Sequence, residues 1–345
     1  MLINRILIVG HGSIGKRHLR LARKLFQNAD IRVLRHQECT TTPEYSDGCF
    51  SILNEAITFS PQIAIIANPA TFHIEVALRL TEVGVHLLIE KPIAASVANV
   101  QNLLKMSCSN KTVLLIGYNL RFLPSLQQFR ELVKENAIGR VISVRCEIGQ
   151  YLPSWRPKTD YRQGVSARSE LGGGALLELS HEIDYLRWIF GEVDWVMATL
   201  SKQSSLEIDV EDTVHLILGF ATEDDIQQLI GSVTLDFVRH DTTRLCTAIG
   251  ENGSLRWNGL TGLVEQFDIG AEDWRDIFHH KSQSDDSYLV EWKHFISCIT
   301  EQEKPLISGD DGFKVLQIIE AARQASENGN RIQLAKYTAK EKVGV

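Results

Sequence analysis

The sequence has no C-x-x-C pair and no Cys/His spacing of the kind that holds zinc. Its six cysteines (Cys39, Cys49, Cys108, Cys146, Cys246, Cys298) lie far apart. Neither a metal site nor a disulfide framework is expected, and the thiols read as small apolar residues in a reducing compartment. No apolar run approaches the ~18 residues a membrane helix needs, so no membrane partner is expected. The opening MLINRILIVGHG lacks the long apolar core and small-residue cleavage site of a signal peptide, which makes the cytoplasm the expected location. Basic residues are outnumbered, 36 Lys and Arg against 43 Asp and Glu, and a net charge of −7 argues against a nucleic-acid partner. There is no internal repeat and no low-complexity linker.

What is present fits a soluble globular chain of two domains, at 345 residues with 23% charged positions. Short apolar runs recur at Ile6–Val9, Ile31–Leu34, Ile63–Ala67, Leu87–Ile89 and Val113–Ile116, none alternating with polar residues. Such runs suit strands covered on both faces of a parallel sheet. Helical patterns lie between them: Ile14–Phe26, Thr71–Val83 with Thr71 as cap and Gly84 as stop, and Ser96–Met106 capped by Ser96. The alternation predicts an α/β class, a doubly wound Rossmann sheet with ligands outside the C-terminal strand ends.

The first turn supports that reading. Gly10-His11-Gly12-Ser13-Ile14-Gly15 is G-x-G-x-x-G between a strand and a helix, and all six residues are expected to bind a dinucleotide. Gly10 permits the turn, Gly12 lets a pyrophosphate approach, and Gly15 allows close packing. NAD binders place Asp or Glu at the end of the second strand; here Arg35 and His36 stand there, favouring the 2′-phosphate of NADP. The cofactor expectation is therefore NAD(P), leaning to NADP. Two further strand ends, Asn68-Pro69 and Glu90-Lys91-Pro92, should border the nicotinamide. A lysine there can exchange a proton with a substrate oxygen while hydride moves on the carbon, and Lys-Pro can adopt the cis form.

Five segments together carry a resemblance: GHGSIGKRHLR, ANPATFHIEVALRLTEVGVHLLIEKPIA, GYNLRF, GGGALLELSHEIDYLRWIFG and DGFKVLQIIEAARQA. The chain resembles the Gfo/Idh/MocA family of NAD(P)-dependent oxidoreductases over nearly its whole length, closest in look to members from bacterial surface-sugar biosynthesis. The resemblance implies a Rossmann domain over residues 1–120. A C-terminal α/β domain over 121–345 would carry a large, open, mostly antiparallel sheet. It implies a sugar, polyol or nucleotide-sugar substrate, and a homodimer or homotetramer. It makes Lys91 the catalytic acid/base. Asn68, Pro69, His73, Glu90 and Asn119 would line the nicotinamide side, with Arg121 near the nicotinamide or a substrate oxygen.

In the second half, PSLQQFRELVKEN reads as a helix and RVISVRCEIGQY as the first of the later strands. DTVHLILGF and IQQLIGSVTLDF alternate as one-faced antiparallel strands do. Ala175 to Phe190 has helical spacing and ends at Gly191. On one such helix Glu178, His181 and Glu182 share a face, with Asp184 beside it. With the resemblance, His181 is the second expected proton-transfer group, and Glu178 is either its carboxylate partner or structural. Family members often carry Asp four residues before this histidine; here that position is Leu177. The loop QYLPSWRPKTDYRQGVSARSE, with Lys158 and Arg162 among its basic residues, is long enough to bind a ligand or cover a neighbouring subunit. Trp155, Arg156, Tyr161 and Arg168 from it, and Asp184, are the expected substrate contacts. Two final helices, roughly Asp286–Thr300 and Asp310–Glu327, are expected to begin at Asp286 and Asp310, and AKYTAKEKVGV to fray. The leading function is an NAD(P)-dependent oxidoreductase on a sugar-like CH–OH group. Its rivals are an NAD-dependent glycosidase with transient redox and a non-catalytic dinucleotide-binding sensor.

Overall fold

A computed structural model describes residues 3–221 and 228–334. By their contacts the residues fall into two compact units. The first runs to Tyr118 and includes Leu289–Leu316; the second holds Asn119–Tyr288 and the residues from Gln317 on.

In the first unit six strands form one sheet: β1 (Arg5–Val9), β2 (Asp30–Leu34), β3 (Gly48–Phe50), β4 (Ile63–Ile66), β5 (His86–Glu90) and β6 (Leu114–Gly117). Their order is β3-β2-β1-β4-β5-β6 and every pair is parallel. The uninterrupted apolar runs are explained by burial on both faces: Ile6, Leu7, Ile8, Ile65 and Leu88 are inaccessible to solvent. Each such side chain contributes about 1.5–3 kcal/mol. The crossovers are α1 (Ser13–Leu25), α2 (Leu53–Thr58), α3 (His73–Glu82) and α4 (Val100–Ser109).

Three details depart from expectation. The helix expected from Ser96 begins at Val100, because Asn99 sits at φ 60° and no right-handed helix passes through a left-handed residue. Thr71 lies in a short 3-10 turn, Ala70–Phe72, and does not cap α3; Gly84, at φ 82°, does follow its end. Cys39 and Cys49 are joined in a disulfide, whereas free thiols were expected. The chain doubles back after β2 and sets Cys49 in β3 beside Val33, which brings the two Cα atoms to 5.9 Å.

The second unit is built on a nine-stranded sheet: β7 (Val141–Gly149), β8 (Val193–Ser201), β9 (Thr213–Phe220), β10 (Ile230–Asp236), β11 (Thr243–Gly250), β12 (Gly253–Asn258), β13 (Leu263–Asp268), β14 (Arg275–His279) and β15 (Ile332–Gln333). The order is β14-β13-β12-β11-β7-β10-β9-β8-β15. All neighbours are antiparallel except β7 and β10. Together the two sheets bear out the α/β class. Helix α5 (Pro124–Lys134) precedes β7, and the short α6 (Leu152–Trp155) follows it.

The single helix expected over 175–190 is two, α7 (Ala175–Glu178) and α8 (His181–Phe190), interrupted at Leu179-Ser180. Helices α9 (Asp286–Thr300) and α10 (Gly309–Asn328) complete the chain, and α10 is capped by Ser308 rather than Asp310. The Ser308 hydroxyl oxygen accepts the Asp311 N–H at 3.2 Å, and the Asp311 carboxylate accepts the Ser308 N–H at 2.9 Å. The expected frayed tail, and the first two residues of the strand expected from Ile226, lie outside the described residues. No described helix is long and apolar enough to cross a membrane.

Candidate active site

The turn between β1 and α1 separates two kinds of glycine. Gly10 is at φ 95°, and a Cβ there would lie 2.6 Å from the Ala67 carbonyl oxygen; one on Gly15 would collide with the Gly10 carbonyl. Internal packing forces both. Around Gly12 a Cβ would meet nothing within 4 Å among the described residues, and its φ of −73° suits any residue. The absent side chain there leaves open space in front of α1. The helix start has no side-chain cap and no acid in its first turn, so its N–H groups and positive dipole end suit an anion. Ser13 is exposed and Ile14 half-buried at this start. His11 is pulled below the usual imidazole value by partial burial, then by the charges of Lys16 and Arg35. Those two cations therefore lie around the turn.

Arg35 follows β2, and its Nη2 donates to the carbonyls of Glu38 (3.1 Å) and Thr41 (3.2 Å). Its buried Nε has no hydrogen-bond partner among the described residues. His36 next to it is exposed.

Two loops leave the C-terminal ends of β4 and β5. The second contains Lys91, half-buried, and a cis peptide to Pro92. His73, expected to line the nicotinamide side, is buried at the start of α3 and spans the two loops. Its Nε2 lies 2.8 Å from the Asn68 carbonyl and its Nδ1 3.0 Å from that of Pro92. Burial pulls this imidazole down, opposed by the two carbonyls and the charge of Glu90. Glu90 is likewise buried: Oε1 lies 2.7 Å from His18 Nε2, and Oε2 accepts the Lys91 main-chain N–H at 3.2 Å. Trp292 of α9 donates its indole N–H to His18 Nδ1 at 3.0 Å. Glu291 beside it is inaccessible, and burial together with the Glu90 charge pushes its carboxyl well up. His18, Glu291 and Trp292 were not among the expected residues. His18 was visible as a polar residue on the apolar stripe of α1, but nothing in sequence linked it to a residue 274 positions away.

In the second unit Arg121 and Asp184 bind each other. Nε donates to Oδ2 at 2.9 Å and Nη2 to Oδ1 at 2.6 Å, with both side chains almost wholly buried. Asp184, expected as a substrate contact, thus spends both oxygens on Arg121. Asn119 is buried too and donates to Ser287 Oγ at 2.7 Å. The break at Leu179-Ser180 separates the residues expected to share one helix face. Glu182 is fully buried and accepts from Arg244 Nε at 2.9 Å. Glu178 accepts from the Ser166 hydroxyl at 2.7 Å, Leu177 is buried, and His181 is half-buried at the first position of α8.

Of the loop residues, Arg156 and Lys158 are exposed. Trp155 donates to the Gln150 carbonyl and packs edge-on to Phe237. Tyr161 accepts the Glu207 N–H at 3.2 Å, Arg162 pairs with Asp160 and Glu207, and Arg168 pairs with Glu170 at 2.8 Å.

Two family models match: one described as an NAD-binding Rossmann fold over residues 4–118, the other as a C-terminal alpha/beta domain over residues 130–334, both of the same oxidoreductase family. The chain belongs to the Gfo/Idh/MocA oxidoreductase family. Among its Gfo/Idh/MocA relatives, an inositol 2-dehydrogenase of Rhizobium meliloti is 24% identical, covering 95% of this chain and 98% of that one. A levoglucosan dehydrogenase in complex with NADH superposes with a TM-score of 0.82 at 21% identity, over 96% of this chain and 99% of that one. The WlbA dehydrogenase of Bordetella pertussis, in complex with NADH and UDP-GlcNAcA, gives 0.77 at 20% identity over the same shares.

A dinucleotide fits what the Gfo/Idh/MocA Rossmann unit offers here. The uncapped helix start, the open space at Gly12 and the cations Lys16 and Arg35 are the donor set that a pyrophosphate and ribose require.

Proposed function

We propose that the protein is an NAD(P)-dependent dehydrogenase or reductase acting on a CH–OH group of a sugar, polyol or nucleotide sugar. The observation that carries this is Gly12, whose missing side chain has no internal cause, at an uncapped helix start on the sheet whose β5 ends in Glu90-Lys91-Pro92. Gly10 to Gly15 hold the dinucleotide, with Asn68, Pro69, Asn119 and Arg121 shaping the nicotinamide end. Arg35, with His36 and the nearby charge of Lys16, accepts a 2′-phosphate, so NADP binds as well as NAD. Bound nicotinamide supplies the acceptor or donor of hydride at C4. Lys91 takes the substrate hydroxyl proton on oxidation and returns it on reduction. His181 is the second proton-transfer group, with Glu178 its carboxylate partner. Trp155, Arg156, Tyr161 and Arg168 contact the substrate, the arginines favouring a charged sugar.

The same reading takes the protein as a cytoplasmic homodimer or homotetramer, which sedimentation velocity reads directly. Screening sugars and nucleotide sugars with both cofactors at the reduced-nicotinamide absorbance band tests the activity. On an active substrate Lys91→Ala loses turnover by roughly a hundredfold or more while keeping NADH affinity. Undiminished turnover would remove Lys91 from the chemistry.

A further inference from the structure

An indole N–H only donates. Because Trp292 Nε1 lies 3.0 Å from His18 Nδ1, that nitrogen must present its lone pair. The ring proton then belongs on Nε2, 2.7 Å from Glu90 Oε1. The other Glu90 oxygen faces the Lys91 N–H. His18 and Trp292 have no solvent-accessible surface, so water cannot stand in for either. Among the described residues three other ionisable groups stand by this chain. Glu291 has no hydrogen-bond partner on either oxygen among the described residues, and burial with the Glu90 charge pushes its carboxyl well up; His73 feels the Glu90 charge; Lys91 follows Glu90 directly.

We propose that Trp292 is a positioning residue that locks His18 as a neutral Nε2–H donor and so leaves Glu90 a carboxylate whose charge His18 does not cancel, next to Lys91. The functional meaning rests on the reading of Lys91 as the proton carrier. Without the indole, His18 Nδ1 is open to a proton. The ring becomes an imidazolium clamped to Glu90, and the pair goes from one negative charge to none. The Lys91 ammonium loses that attraction, and more of it stands as free amine.

Three variants isolate the lock: Trp292→Phe, His18→Gln and the double variant. A glutamine amide reaches where Nε2 stands and donates to Glu90, yet never carries charge. Nitrogen-15 NMR of the His18 ring reads the tautomer between about pH 6 and pH 8. The rate of Lys91 acetylation by trace acetic anhydride, read by mass spectrometry, reports the free amine.

Wild type shows only the Nε2–H form. Trp292→Phe shows imidazolium and acetylates Lys91 about threefold faster or more. Adding Trp292→Phe to His18→Gln changes nothing further. A structural role for Trp292 would instead give the same acceleration in both backgrounds, and that result, or a His18 that stays neutral in Trp292→Phe, overturns the proposal. Should Trp292→Phe not fold, the wild-type spectrum still decides, since a charged or Nδ1–H His18 is incompatible with the lock. Normal turnover of Lys91→Ala would overturn the catalytic meaning alone and leave the tautomer result standing.

Discussion

Gly12→Ala separates a glycine kept for a ligand from one kept for the fold. At φ −73° alanine is unstrained, and its methyl meets no atom of the described residues within 4 Å. Less freedom in the unfolded chain makes the variant as stable as wild type or up to about 1 kcal/mol more so. The methyl does occupy the approach of a phosphate to the N–H groups of α1. Losing one charge-assisted hydrogen bond costs about 1.5–3 kcal/mol, or roughly 10- to 150-fold in Kd. Gly15→Ala is the contrast: its methyl strikes the Gly10 backbone, and stability falls by about 1–3 kcal/mol. Fluorescence titration with NADH and urea denaturation, run on both variants, read the two effects. An unchanged NADH affinity in Gly12→Ala, or a marked loss of its stability, would refute the assignment of this turn.

The buried Arg121–Asp184 pair predicts that Arg121→Met destabilises by about 3–5 kcal/mol in urea, because a buried carboxylate loses its bidentate guanidinium, and that adding Asp184→Leu recovers much of the loss. Glu291 titrates above its ordinary range in the folded state, so the native protein holds a proton that the unfolded chain releases as pH rises. That stability is full below the unfolded value and is lost towards the folded one. Glu291→Gln removes a slope of up to roughly 1.4 kcal/mol per pH unit, seen by comparing unfolding at about pH 5 and about pH 7; parallel curves for the two proteins would contradict it. Arg35→Ser should weaken NADPH binding about tenfold or more relative to NADH, and equal loss for both would assign Arg35 to the loop alone.

The parallel sheet was legible because its strands are buried on both faces and therefore read as unbroken apolar runs. β3 and α2 were not, since a strand of three residues and a helix of six are too short to show a period. The interruption at Leu179-Ser180 was not legible because the spacing of apolar residues continues through it, although the backbone does not. Glu178 and His181 thereby leave their common helical register, and Glu182 turns inward to Arg244. The Cys39–Cys49 bond was hidden by a spacing that matches no motif; it depends on how the chain returns from β2 to β3. Among the candidate site residues, the turn glycines and Lys91 announce themselves by local pattern. The burial of Asp184 depends on a partner 63 positions away, which local pattern does not encode.

The return of Leu289–Leu316 to the first unit carries a consequence for synthesis. Ile307 hydrogen-bonds to β6, Gly312 packs closely on Ile93 and Ile116, and Trp292 seals His18. The ribosome makes these segments 171 residues after Tyr118, from 289 minus 118, a delay of roughly ten to thirty seconds. Through that interval the nascent sheet has its strands but not its seal, with the outer edge of β6 open and two ionisable side chains lacking their lid. Any fragment ending near residue 120 is frozen in that condition.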